Sequence, residues 1–135
     1  MLFALAIEKG DDKHAYGVTV PDIPGCFSAG DTFEEAVKNA REAIEGHLEV
    51  LCEDGVDIPQ ASDISVHIGN PEFDGYVWAL VDVDITPYLG KSQKVNVTLP
   101  DLLIKQIDDV VARVPAYKSR SGFLATAALH ELQHV

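Results

Sequence analysis

Apolar and polar residues along the chain follow two periodicities, and the changes between them outline its elements. From Phe3 to Glu8 the run is short and apolar, Gly10-Asp11-Asp12-Lys13 has turn chemistry, and Tyr16, Val18 and Val20 alternate, which predicts two antiparallel strands. Pro21-Asp22-Ile23-Pro24-Gly25 breaks regular structure, and a short extended piece from Cys26 to Ala29 follows. At Thr32 the period changes. Phe33, Ala36, Val37, Ala40, Ile44, Leu48 and Leu51 recur at helical intervals, Thr32 and Glu35 have capping-box spacing, and Gly55 supplies a stop, so a helix is predicted from Thr32 to about Asp54. Gly46 inside that helix costs about 1 kcal/mol relative to alanine, which suggests a close packing partner.

Beyond the helix, Ile58 to Ser62 reads as a loop, Ile64 to Ile68 as a short strand and Asn70 to Gly75 as a turn. Tyr76 to Ile85 reads as a strand, apolar on both faces at first and alternating from Val81, which predicts a place inside a sheet. Residues 88–90 look like a linker. Lys94-Val95-Asn96-Val97-Thr98-Leu99 then alternates with period two until Pro100. Leu103, Ile107, Val110, Val111 and Val114 form the apolar face of a helix ended by Pro115. A last helix, capped near Ser119 or Ser121, is predicted to bury Phe123, Leu124, Ala127, Ala128 and Leu132. The fold class is α+β, in two parts: residues 1–87 and residues 91–135.

Charge divides the chain at the same place. Residues 1–90 hold Lys9, Lys13, Lys38 and Arg41 against eighteen carboxylates, a net of −14, whereas residues 91–135 carry a net of +2. An acidic body attracts a basic partner and repels nucleic acid; the tail can still approach phosphates. Cys26 and Cys52 lack ligand spacing and read as buried thiols. Met1 to Ile7 is too short for a membrane span and lacks the flanks of a secretory signal, so a cytoplasmic protein is expected.

The tail presents a physical problem. About 45 residues with one strand and two helices bury too little apolar surface, and a lone strand leaves its backbone unpaired. Two copies solve both difficulties, with strands pairing antiparallel into a ribbon over four helices. The ribbon's polar face would carry Lys94, Asn96 and Thr98, side chains able to read base edges in a major groove. Ser119, Arg120 and Ser121 at the last helix's N-terminus could meet a phosphate.

Lys94 to Pro100, Ile107-Asp108 and Ser119-Arg120-Ser121 resemble the ribbon-helix-helix signature, which implies base contacts by Lys94, Asn96 and Thr98. Gly122 replaces the acidic residue often found there, leaving the first helical turn less well specified. In the front part, Pro21-Asp22-Ile23-Pro24-Gly25-Cys26, Gly30-Asp31-Thr32, Glu35-Ala36, Asn39-Ala40 and Ile58-Pro59 resemble HicB antitoxins. That resemblance implies a partial ribonuclease H-like sheet with one long helix. It also implies a homodimeric, operator-binding antitoxin that neutralises HicA, a small basic RNA-cleaving toxin. Tyr16, Asp22, Asp82 and Asp84 are candidate toxin contacts.

Other chemistries fit less well. A metal-dependent nuclease would need converging carboxylates, and Asp82, Asp84 and Glu8 lack a fourth ligand. His130-Glu131-Leu132-Gln133-His134 matches a zinc-protease pattern, but no downstream ligand follows it. No catalytic residue, cofactor or metal is therefore assigned, and the protein is not read as an enzyme. The competing reading is a repressor that senses a small ligand without a toxin partner.

Overall fold

The side chains of Phe3, Ala4, Leu5, Ala6 and Ile7 are all fully buried, so both faces of this strand are covered. The computed structural model describes residues 1–135 and divides them into two units, Met1–Lys91 and Ser92–Val135. In the first unit, β1 (Leu2–Glu8), β2 (Tyr16–Thr19), β3 (Phe27–Gly30) and β4 (Val77–Asp82) form an antiparallel sheet in the order β3-β2-β1-β4. One long helix, α1 (Phe33–Glu53), lies against it. Thr32 caps α1 by accepting a hydrogen bond from the Glu35 N–H, and the buried stripe Ala36, Ala40, Ile44 and Leu48 recurs every four residues. Close approach is built in. A Cβ on Gly30 would strike the backbone of Ala36, so small residues on both sides let β3 and α1 touch.

The opposite face of the sheet is closed by aromatic packing. Register places Trp78 beside Ala6, and Trp78 meets Phe73 edge-on at 5.5 Å and stacks on His67 at 6.3 Å. The proline-rich turn helps hold this cover. Asp22, its side chain only 6% exposed, pairs with His67 Nε2 at 2.9 Å and accepts the Ser62 N–H at 2.9 Å.

Four local expectations need correction. Ile64–Val66 is a 3-10 turn capped by Asp63, not a strand; Val66 and Ile68 lie exposed because they face solvent rather than a sheet neighbour. The strand expected over Tyr76 to Ile85 is limited to Val77–Asp82 and lies at the sheet edge. Its apolar residues on both faces misled, since Val77 and Leu80 are 44% and 50% exposed, and the doubly buried strand is β1. Nothing in the chain approaches a Cβ built on Gly46. Residues 88–90, expected as a linker, include Tyr88, Leu89 and Gly90 of a hollow shared with Cys52, Val56 and Ile58.

In the second unit, α2 (Asp101–Arg113) and α3 (Arg120–Gln133) are joined by a 3-10 turn, Pro115–Tyr117. Residues 92–100 form no strand in the single chain.

Gly46→Ala is expected to raise front-unit stability by about 1 kcal/mol, because alanine restricts the unfolded chain and meets no obstacle. Thermal denaturation should show a midpoint increase of roughly 4–8 °C. A decrease would mean that another body packs against this helix face.

Candidate nucleic-acid interface and acidic partner surface

The tail has almost no core of its own. Ile107 is its single buried residue, while Val95, Val97, Leu102 and Leu132 are 63% to 74% exposed. Phe123 and Leu124 are partly covered, but Ala127, Ala128 and Leu132, expected to be buried, face solvent in one chain. Lys94, Asn96 and Thr98 are exposed on the unpaired segment. At roughly 25 cal/mol per Å2, leaving this many apolar side chains wet forfeits most of the stabilisation that a packed domain needs.

The junction between α2 and α3 is specified by backbone geometry. Pro115 follows α2 at once, and the Ser119 N–H bonds back to the Tyr117 carbonyl at 2.7 Å across Lys118, whose φ is 66° and ψ −42°. This is a γ-turn of the rare, strained hand. Ser119 then caps α3, its Oγ accepting the Gly122 N–H at 3.1 Å, and Tyr117 packs on Phe123 at 5.0 Å. Gly122 proves more tightly specified than its sequence suggested. A Cβ there would fall on the Tyr117 carbonyl oxygen, so the turn and the first helical residues fit only around glycine.

Arg120 has a duty that the sequence reading did not foresee. Its guanidinium forms a two-pronged pair with Asp108, Nε to Oδ1 at 3.0 Å and Nη2 to Oδ2 at 2.7 Å, tying α3 to α2. The side-chain hydrogen bond and positive charge of Arg120 hold Asp108 below the usual carboxylate range. With that side chain engaged, the groups presented at the α3 N-terminus are the Arg120 and Ser121 backbone N–H groups, the Ser121 hydroxyl and, beside them, Lys118. Anions suit such a terminus.

In the front unit the four candidate contacts do not form one surface. Tyr16 packs edge-on to Phe33 and lines a hollow of about 270 Å3 with Ile7, Lys9 and Val77. Asp82 lies at the other end of the sheet, opposite Leu2, while Glu8 pairs with Gly17, so these carboxylates do not converge. Asp22 is committed to His67 and Ser62. The structure instead brings Asp84 together with Glu45 and Glu49 around Tyr88, whose phenol is pushed up by burial and by those three carboxylates. Asp82, 76% exposed, sits two residues from Asp84 on the chain. Sequence reading missed Glu45, Glu49 and Tyr88; only the four-residue spacing of the two glutamates hinted at a shared helix face.

The remaining reactive groups stand alone. His130 and His134 stack at 4.2 Å, with His134 Nδ1 against the His130 carbonyl, and no group of three or more His, Cys, Asp or Glu residues is arranged to hold a metal ion. Burial raises the Cys26 thiol.

An acidic sheet-and-helix unit is thus followed by a helical unit whose apolar side chains are uncovered. The chain belongs to the HicB-like antitoxin family of bacterial toxin-antitoxin systems, whose family description matches residues 3–128. It is 46% identical over 132 residues to an uncharacterized 14.9 kDa protein in the rep-hol intergenic region of Haemophilus phage HP1, covering 98% of both chains. The crystal structure of the Burkholderia pseudomallei antitoxin HicB matches with a TM-score of 0.73 and 47% identity over 98% of each chain. A chain of a HicA3 and HicB3 toxin-antitoxin complex matches with a TM-score of 0.55 and 33% identity, covering 62% of this chain and 99% of that one.

Gly122→Ala should destabilise the tail by about 1–3 kcal/mol through overpacking, although alanine is the better helix former. Helical circular dichroism during denaturation would reveal the loss, and a stabilised variant would contradict the Tyr117 constraint. Separately, Arg120→Ala should return the Asp108 carboxyl upward into the ordinary carboxylate range, measurable by NMR titration. The folded-state value in the intact protein is depressed, so the pair stabilises above the unfolded value and is lost as pH falls through the folded one.

Proposed function

We propose that this protein is an antitoxin that silences a HicA-type RNA-cleaving toxin by direct binding and represses its own operon through a ribbon-helix-helix tail. The observation carrying the DNA-binding half is the tail's lack of cover: Val95, Val97, Leu102 and Leu132 stand exposed around a single buried Ile107. Pairing two Lys94–Leu99 segments would give each backbone a neighbour and bury the valines against four helices. Lys94, Asn96 and Thr98 would then face outward from a two-stranded ribbon, the shape that enters a major groove. Ser119, through the helix it caps, Ser121 and the Arg120 backbone N–H would hold a phosphate, with Lys118 adding charge. The Arg120 side chain serves this arrangement by fixing α3 against α2.

Toxin binding is supported by family membership, by the HicA3–HicB3 relative and by the acidic body. Asp84, Glu45 and Glu49 around Tyr88 form the surface best suited to lysines and arginines of a small basic protein, and Asp82, paired with the Met1 ammonium at 3.1 Å, lies two residues away along the chain. Tyr16 and its hollow offer a second, apolar contact at the other end of the sheet. Covering an RNA-binding face requires no chemistry from the antitoxin.

Co-expression with a small basic protein encoded next to the gene should yield a complex and relieve growth arrest. If no such neighbour binds, the antitoxin reading fails while the DNA-binding reading stands. In operator binding, Asn96→Ala should relax sequence preference at a cost of roughly 1–3 kcal/mol, whereas Lys118→Ala should weaken all sequences alike and flatten the salt dependence. Equal loss of specificity in both variants would remove the division into base readers and phosphate contacts. DNA release by a small molecule rather than by toxin would favour a ligand-sensing repressor.

A further inference from the structure

Two histidines at the end of α3 serve neither DNA nor toxin in the proposed function. His130 and His134 lie one helical turn apart and stack face to face, with ring centroids 4.2 Å apart and planes 27° from parallel. Residues spaced by four share one helix face, so the backbone itself keeps the two imidazoles together. Both rings are exposed. His134 Nδ1 lies 2.6 Å from the His130 carbonyl oxygen, and a carbonyl can only accept, so Nδ1 carries the proton and the Nε2 lone pair is left free.

Metal-binding histidines use the same arrangement, in which one ring nitrogen donates to a backbone carbonyl and thereby fixes the tautomer and aims the other nitrogen at the ion. Zinc takes imidazole nitrogens at about 2.0–2.1 Å, so two of them on one ion stand roughly 3 Å apart. Rings already stacked at 4.2 Å reach that span by side-chain rotation. The surroundings also favour a cation. The pair sits in the last turn of α3, where unpaired carbonyls give a helix its partial negative charge, and Glu131 adds a carboxylate to the same turn. No group of three His, Cys, Asp or Glu residues forms here, so an ion held by the pair keeps open positions for water.

We propose that His130 and His134 chelate one divalent transition-metal ion, of the zinc, nickel or copper class, and that the ion staples the last turn of α3. The chelate exists only while the chain between the two residues is helical, because an extended chain separates them by up to about 13 Å. Free energy of metal binding is therefore also free energy of helix formation. The end of α3 is where such a contribution counts. Leu132 is 71% exposed in one chain, and His134 already departs from helical geometry at φ −109° and ψ 11°, so packing does not hold this turn. Imidazole donors suit zinc, nickel and copper, whereas magnesium and calcium take oxygen ligands. Neither toxin nor operator takes part.

Untagged full-length protein, stripped of metal by a chelator, tests this with zinc, nickel and magnesium salts. Titration calorimetry should show one zinc or nickel ion bound per chain at the tightest site, and no magnesium. His130→Ala or His134→Ala should each weaken that site by at least the roughly ten- to hundredfold that loss of a supporting group costs a metal site, whereas His14→Ala and Cys52→Ser should leave it unchanged. The double variant His134→Ala with Val135→His keeps the number of histidines but moves one imidazole off the shared face, and it should lose the site as well. In the zinc-loaded protein, nitrogen NMR should find His134 bound through Nε2 with Nδ1 still protonated. Zinc should also slow hydrogen exchange at the His134 amide, which bonds to the Glu131 carbonyl at 3.1 Å, and should not do so in His130→Ala. Tight binding that survives both histidine substitutions, coordination through His134 Nδ1, or binding without slower exchange would each overturn the proposal. Weak binding that is equal in every variant would mean an adventitious ion only, and would overturn it too.

Discussion

Lys94 to Leu99 has the alternation of a strand but no neighbour in one chain, so none of its backbone groups enters a ladder. This constraint governs the tail. A peptide N–H or C=O withdrawn from water without a partner costs more than a hydrogen bond contributes net, so an isolated strand cannot bury its valines. The two helices consequently pack around little more than Ile107 and are held locally by the Pro115–Tyr117 turn, the Ser119 cap and the Asp108–Arg120 pair. These contacts set the helices' relationship without supplying a core. On the proposed reading, residues 94–99 and the apolar side chains would share one remedy, a second chain.

The front unit meets the backbone constraint within itself on one side of the sheet only. Burying β1 on both faces demands an amphipathic helix on one and a compact cover on the other. Ala36, Ala40, Ile44 and Leu48 answer the first demand, and Trp78, Phe73 and His67 answer the second. Putting β1 in the interior leaves β4 outside it, and no later element of the unit adds a strand. The same arrangement lets Arg41 of α1 reach the Asp82 carbonyl and brings Glu45 and Glu49 near Asp84. A packing solution thus creates both the open edge and the carboxylate group around Tyr88.

Features encoded by neighbouring residues were legible in the sequence. Thr32, Glu35 and the apolar period defined α1 to within a residue at each end, because capping and amphipathicity act over one or two turns. Family membership was legible from Pro21 to Cys26 and the residues after Gly30. The misreadings came from interactions across longer separations. An apolar run does not distinguish a strand buried on both faces from an edge strand, so β4 was placed inside the sheet. Gly122 looked like a departure from pattern because its constraint comes from the Tyr117 carbonyl, which is visible only once Lys118 adopts its left-handed turn. Asp22 looked available to a partner until the loop holding Ser62 and His67 folded over it.

Segregating charge allows one chain to address partners of opposite sign. On the proposed reading, a basic toxin and a phosphate backbone would each bind through opposite charge, and mixing their surfaces would weaken both. At physiological ionic strength a charge is screened beyond about 8 Å, so the acidic residues before Lys91 need not prevent the tail from approaching DNA if the bound geometry keeps them farther away. On the proposed reading, toxin binding also neutralises part of the body's charge and lowers its long-range repulsion of the operator. Charge then couples the protein's binding events without requiring a conformational change, and the sign of that coupling follows from which surface each partner covers.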